Sequence, residues 1–444
     1  MKNLITGKNL LSSLALLALS NTVVLADERA ITYSEDIAAI LFDKCSSCHN
    51  PDGIGPMSLL SYEEVRPWAP LISYKVERRE MPPWHLDQTV GIRDYKNDVS
   101  LSAEQITKVV AWAEQGALQG DPALTPPQPT LPDAGQWQLS SSLGAPDFVV
   151  KSPPYNVTAN AQDQWWVRNT TFEGVIDEPR YVRATELKGS YPLGVKVLHH
   201  GHATLRSFDD NGNRASGPVG RQGVGKGGDQ FPEGTGMLIY PNGSINWNLH
   251  YFPINEVVAN EQAEAAVWLY PKDYKPEFET RGEQFFAADS GTGGLWANDL
   301  VLPPDSVKSL QGVRVLEQPA LITSFRPHMH MRGRAQSLQA VYPNGSRKML
   351  ARVDKYDHSW QINYEFAEDA APLLPQGTML MITSTWDNTA DNPNNPDPRQ
   401  WVVFGQRGVD EMSHLWLGIT YLSEDQFDRL TAERNARLTA ASGE

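Results

Sequence analysis

The runs Gly236-Met237-Leu238-Ile239-Tyr240 and Thr378-Met379-Leu380-Met381-Ile382 set the class of most of this chain. Each is a short apolar stretch bounded by turn-forming residues, and runs of this kind recur through the second two thirds of the sequence without long helical periodicity. Such spacing indicates an antiparallel sandwich or barrel. The pentapeptide Tyr-Pro-Asn-Gly-Ser occurs twice, from Tyr240 to Ser244 and from Tyr342 to Ser346, each time where a hairpin turn would fall. Two related β domains and shared turn chemistry both account for the repeat.

Upstream of the β pattern, the chain from 121 to 132 is rich in proline (Pro122, Pro126, Pro127, Pro129, Pro132), the composition of a semi-rigid linker. Before that linker the pattern is helical. Ser34, Ile37, Ile40 and Leu41 have helical spacing and lead into Cys45; a second helix starts at Ser102, with Gln105 completing a capping box, and runs through Ile106, Val109, Val110 and Ala113 to stop near Gly116. A last amphipathic helix is expected over Glu424 to Leu438.

The first residues read as an export leader: Lys2 and Lys8, the apolar run Leu10 to Leu19, then Val24-Leu25-Ala26 ahead of Asp27. That run is too short to span a bilayer, which takes about 20 residues. Export without a membrane span places the mature chain in the periplasm. Losing the leader removes two lysines and moves the net charge from −15 to −17, which argues against nucleic acid and is compatible with a basic redox partner.

Both cysteines of the chain lie in Cys45-Ser46-Ser47-Cys48-His49. Two thiols three residues apart followed by histidine form a covalent haem attachment box, in which the histidine sits beneath the iron. No disulfide is then possible, so stability has to come from packing. For the other face of the iron Met81, in Arg79-Glu80-Met81-Pro82-Pro83-Trp84, is favoured, with Met57 and His85 as rivals.

Six potential metal ligands follow far downstream: His199, His200, His250, His328, His330 and Met412. Imidazole suits copper in either oxidation state and a thioether favours Cu(I). On a strand, His328 and His330 face the same way and can converge on one metal. The adjacent His199 and His200 would point to opposite faces unless a bulge intervenes, and spacing alone prefers His200 with His202.

In the order of these elements, His199-His200, Leu249-His250-Tyr251, Phe325-Arg326-Pro327-His328-Met329-His330 and Asp410-Glu411-Met412, the stretch from about 145 to 425 resembles the copper type II, ascorbate-dependent monooxygenases, the family of peptidylglycine α-hydroxylating and dopamine β-monooxygenases. The resemblance implies two jelly-roll β-sandwich domains facing across an open cleft. It further implies an electron-transfer copper on His199, His200 and His250, and a copper where oxygen is used on His328, His330 and Met412. Arg326 matches a residue that holds a substrate carboxylate in the peptide-hydroxylating branch. His414 and Trp416 stand where that branch has asparagine and tyrosine, so the substrate need not be a peptidyl-glycine. A fused haem domain resembles bacterial relatives.

The expected architecture is therefore multidomain: a leader at 1–26, a small all-α cytochrome c-like domain at 27–121, a linker at 122–134, two all-β jelly-roll sandwich domains at 135–293 and 294–430, and a helical tail at 431–444. The expected activity is a copper monooxygenase that hydroxylates a C–H bond of a small or peptide-like molecule with O2. Its cofactors are haem c and two copper ions, with electrons from a periplasmic donor passing through the haem. A copper-binding electron shuttle without turnover is the alternative. A hydrolytic zinc site is disfavoured by Met412, because catalytic zinc prefers nitrogen, oxygen or thiolate. Trp165, Trp166, Trp247, Trp360 and Trp416 line a cleft or fill the core.

Overall fold

A computed structural model of the chain describes residues 29–96, 98–131, 133, 135–161, 164–172, 174–222, 228–286, 300–405 and 407–442. The expected leader lies outside the described residues. No described helix is long and apolar enough to cross a membrane.

Antiparallel β-sheet is the main regular structure of the described residues, as the alternating runs require. In the first β unit, one sheet takes Phe148–Lys151, Glu264–Leu269 and Arg180–Lys188 in that order, and a second takes Gln164–Phe172, Asn242–Tyr251, Leu198–Phe208 and Arg214–Gln222. Val182, Ala265 and Val267 from the first share one buried core with Leu205, Ile245 and Trp247 from the second. The second β unit repeats the plan. Its sheets are Glu279–Phe286, His414–Tyr421 and Ala320–His328 on one side, and Val307–Val315, Met379–Asp387, Gly333–Val341 and Arg347–Val353 on the other. Phe325, Leu338, Leu380, Trp386 and Leu417 meet between them.

One expected boundary shifts. The division at 293/294 falls outside the described residues, but Glu279–Phe286 already pairs along its whole length with His414–Tyr421, so the second unit's sheet begins before it. The C-terminal helix runs over Glu424–Ser442, starting at the expected Glu424 and continuing past the expected Leu438. It starts there because Ser423 and Gln426 cap it reciprocally, the Gln426 N–H on the Ser423 hydroxyl and the Ser423 N–H on the Gln426 side chain.

The helical N-terminal region has its own core of Tyr33, Ile37, Leu41, Val65, Val109 and Trp112. Tyr33–Ile37 forms a π-helical turn continued by the α-helix Ala38–Lys44, and Ala103–Glu114 starts on the Ser102/Gln105 capping box. The helical region does not stand apart from the sheets, however. Trp84, Leu86 and Tyr95 are buried in the second β unit's core, with the Trp84 ring 4.8 Å from Tyr364 and the Tyr95 ring 5.0 Å from Phe366. Backbone bonds fasten the segment: the N–H groups of Asp87 and Ile92 donate to the carbonyls of Arg352 and Leu350, and that of Lys96 to Glu365. Burying three such side chains is worth roughly 1.5–3 kcal/mol each, so residues 84–96 act as a strap fixing the helical region to the second β unit.

Candidate functional site

The haem-box residues sit where the first helix ends. Cys45 and His49 continue its turn through Cys45 N–H to Leu41 O and His49 N–H to Cys45 O, both 2.9 Å. Both thiols are free, and burial pushes them up, Cys45 to about 12. The His49 Nδ1 lies 3.3 Å from the Met57 carbonyl, which can only accept, so Nδ1 carries the proton and Nε2 keeps its lone pair. Met81 is half-buried in the turn after the helix Ala69–Glu77. Met57 packs on the helical core, whereas His85 is turned toward the second β unit, where Asp357, Asp354 and Lys355 face it.

Further along, the strand Leu198–Phe208 carries a register shift between Leu198 and His200, the bulge that adjacent histidines need in order to converge. His200 is then the cross-strand partner of His250, with their rings stacked 4.3 Å apart, and the His199 ring is 5.9 Å from His200. His199 and His200 each hold a buried Nδ1 with no hydrogen-bond partner. An unpartnered buried nitrogen costs about 1–3 kcal/mol, which a ligand would relieve. His202 points instead at Trp416, ring to ring 6.1 Å.

His328 ends the strand Ala320–His328 opposite His414 on the neighbouring strand, and its ring is 5.2 Å from that of His330. His330 Nδ1 lies 3.2 Å from the Asp410 carbonyl and His328 Nδ1 lies 2.9 Å from Gln361 Oε1. Each acceptor can only accept, so in both imidazoles Nδ1 carries the proton and the lone pair is on Nε2. Met412, two residues before the His414 that pairs with His328, is buried, and the residue that assembles this corner is Glu411. Its carboxylate accepts the backbone N–H groups of His330 (3.0 Å), Arg332 (2.6 Å) and Met412 (3.2 Å) and the Trp386 indole N–H (3.0 Å). Sequence reading quoted Glu411 only as Met412's neighbour; a lone acid between Asp410 and Met412 carries no periodic signal of burial.

The two clusters do not face each other across an open cleft. The 354–363 segment of the second β unit fills the space, and Gln361 reaches both: its Oε1 to His328 and its Nε2 to His200 Nε2 at 3.3 Å. Trp360 lies against His199 at 5.9 Å. Trp416 lies between His202 and His328, while Trp166 and Trp247 are core and Trp165 is at the surface, its indole N–H on Asn248. Arg326 is buried, its guanidinium 5.6 Å over the Trp416 ring and its Nε unpartnered. Burial, reinforced by Arg221, pulls it down to about 10. As they stand, no three His, Cys, Asp or Glu side chains among the described residues are gathered at metal-binding spacing.

Burial lowers five imidazoles here: His199 to about 4, His202 and His414 to about 3, and His200 and His328 well below 6.5. A histidine whose folded pKa is depressed stabilises the fold above the unfolded value, and that stability is lost as pH falls from 6.5 toward 3–4, at up to about 1.4 kcal/mol per pH unit per group. Glu411, pushed up to about 7 by burial, acts oppositely, its contribution being lost as pH rises through 7. One carboxyl does not reverse five imidazoles. The urea midpoint of metal-free protein is expected to fall steadily from pH 6.5 to 4.5, and a flat profile would contradict the neutral, buried assignment.

No protein-family model matches the chain, and no curated protein matches it. Among solved structures it is weakly similar to the recombinant N-glycanase F (PNGase F), at 10% identity over 62% of this chain and 96% of that one with a TM-score of 0.24. It is also weakly similar to the CBM22-1-CBM22-2 tandem domain of Paenibacillus barcinonensis Xyn10C, at 9% identity over 57% and 82% with a TM-score of 0.16.

Proposed function

We propose that the chain is an exported, periplasmic copper monooxygenase whose two β units are jelly-roll sandwiches and whose helical region is a c-type haem domain. The observation that carries this reading is the state of the nitrogens: His328 and His330 have their Nδ1 protons tied to Gln361 and Asp410, which puts the lone pair on Nε2, and His199 and His200 hold buried Nδ1 atoms with no hydrogen-bond partner. Oriented, neutral imidazoles with a buried thioether nearby are the donor set that copper takes. His199, His200 and His250 would hold one ion, and His328, His330 and Met412 the other. Copper would supply one-electron chemistry with O2 that hydroxylates a substrate C–H bond.

The chain's own contribution is placement. Glu411 keeps His330 and Met412 on one corner through four N–H bonds. Arg326, buried and with an open Nε, suits an anionic group of the substrate, for which a guanidinium fork is the natural partner, and Trp416 beneath it offers an apolar wall. Cys45 and Cys48 would take the haem thioethers, and His49 Nε2 and Met81 would ligate the iron. Residues 84–96 hold this domain against the second β unit.

The test is copper counted per haem in protein matured with both metals, with X-ray absorption of the reduced form. Two coppers and a Cu–S contact that vanishes in Met412→Ala are expected. One copper or none, or no sulfur contact, would overturn the assignment, and two coppers without oxygen consumption would favour the shuttle.

A further inference from the structure

The Gln361 side chain is hydrogen-bonded to a histidine of each cluster, and its amide has one accepting end and one donating end. We infer that Gln361 couples the two clusters, so that while it touches both rings only one of them can present a bare nitrogen to a metal. The inference rests on the copper reading above.

The logic is hydrogen-bond accounting. Oε1 only accepts, so His328 Nδ1 carries the proton and His328 Nε2 is bare. The amide NH2 only donates, so His200 Nε2 spends its lone pair on Gln361 and a neutral His200 carries its proton on Nδ1. That Nδ1 is the buried atom without a partner, and while protonated it cannot ligate. Turning the amide over reverses both states: His200 Nδ1 becomes bare and His328 Nε2 takes the proton. With the amide as it lies, the His328, His330 and Met412 cluster is ready and the His200 cluster is not. Loading both requires Gln361 to leave one ring, which a side chain reaching from one β unit to the other does when the two units part.

Gln361→Glu provides a clean test, because it keeps the shape and replaces the donating end with a second acceptor. Both rings can then donate toward position 361 and both can present bare nitrogens away from it. Cu(I) binding to the haem-containing protein would be followed by anaerobic equilibrium dialysis against a Cu(I)-chelator buffer, with copper counted per haem. Affinity of the His200 cluster is compared with the other cluster intact and with it disabled by His330→Ala. The wild type should bind at least about tenfold more weakly with the partner cluster loaded; in Gln361→Glu and Gln361→Ala the ratio should collapse toward one. Nitrogen-15 spectra of the metal-free protein give a second readout, with the same tautomer, the proton on Nδ1, expected for His200 and His328 because Gln361 meets different nitrogens of the two rings. Coupling that persists unchanged in Gln361→Glu, or different tautomers on the two rings, overturns the inference alone. Failure of either cluster to bind copper overturns the copper reading and the inference with it.

Discussion

Replacing Glu411 by alanine is expected to destabilise the metal-free protein by on the order of 4 kcal/mol or more, enough to unfold the second β unit in mild urea. Its carboxylate is wholly buried and receives four N–H groups from three separate stretches of chain: His330 and Arg332 after one strand, Trp386 at the end of another, and Met412 itself. Each donor left in a dry interior costs about 1–3 kcal/mol, and the vacated volume adds a cavity. Glu411→Gln should cost less, because an amide oxygen in the Oε2 position still accepts three of the four and only the Arg332 N–H meets a donor. Equilibrium urea unfolding of both variants decides it. Equal, small losses would mean that water or a neighbouring group satisfies those donors, and Glu411 would not then be the residue that sets His330 against Met412.

How much of this was legible in the sequence depended on whether a signal was local. The Ser102/Gln105 capping box and the helical spacing ahead of Cys45 are self-contained, and both helices lie where the pattern puts them. The repeated pentapeptide shows the opposite case. From Tyr342 to Ser346 it closes a true hairpin between Gly333–Val341 and Arg347–Val353, with Tyr342 N–H on Ser346 O and Gly345 at a φ of 82° in open space. From Tyr240 to Ser244 the same letters join Met237–Ile239 to Asn242–Tyr251, strands that belong to different sheets. Gly243 there has a different reason to be glycine, since a Cβ would lie 2.5 Å from the Arg206 carbonyl. Identical turn chemistry serves two topologies because register and partner are settled by distant strands, and the repeat gives no support to duplicated domains.

The histidines divide in the same way. His328 and His330 could be paired from strand periodicity, and the bulge at His199 was the one condition under which His199 and His200 could join His250. Gln361, Glu411 and the strap at 84–96 gave no such signal. Apart from the bond between Glu411 and its neighbour Met412, each acts across 25 or more residues of sequence, and nothing in the spacing of neighbours marks it. Trp84 and Tyr95 read as part of a helical domain because they follow one, yet their rings fill the second β unit beside Tyr364 and Phe366. The consequence for function is that the haem box is joined to the β units by packed structure as well as by the proline-rich stretch.

Met412→Ala is expected to reduce substrate-dependent oxygen uptake to background, a loss of at least about a hundredfold, while leaving the haem absorption spectrum unchanged. The substitution isolates the thioether because the backbone at 412 is pinned independently: its N–H donates to Glu411 at 3.2 Å and its carbonyl accepts from the Trp386 indole at 3.2 Å. Stability should fall by only about 2–5 kcal/mol, the range for truncating a buried methionine, and the haem residues lie over a separate core that the change does not reach. On the proposed assignment, losing the thioether would remove what favours Cu(I) at that position, whereas the nitrogens of His328 and His330 keep their orientation through Gln361 and Asp410. Copper content can therefore persist while turnover disappears, and oxygen uptake, copper per haem and urea midpoint measured together separate loss of chemistry from loss of fold. Hydroxylation retained within tenfold of the parent would remove Met412 from the reacting site and leave a two-histidine copper, or none, as the reading to pursue.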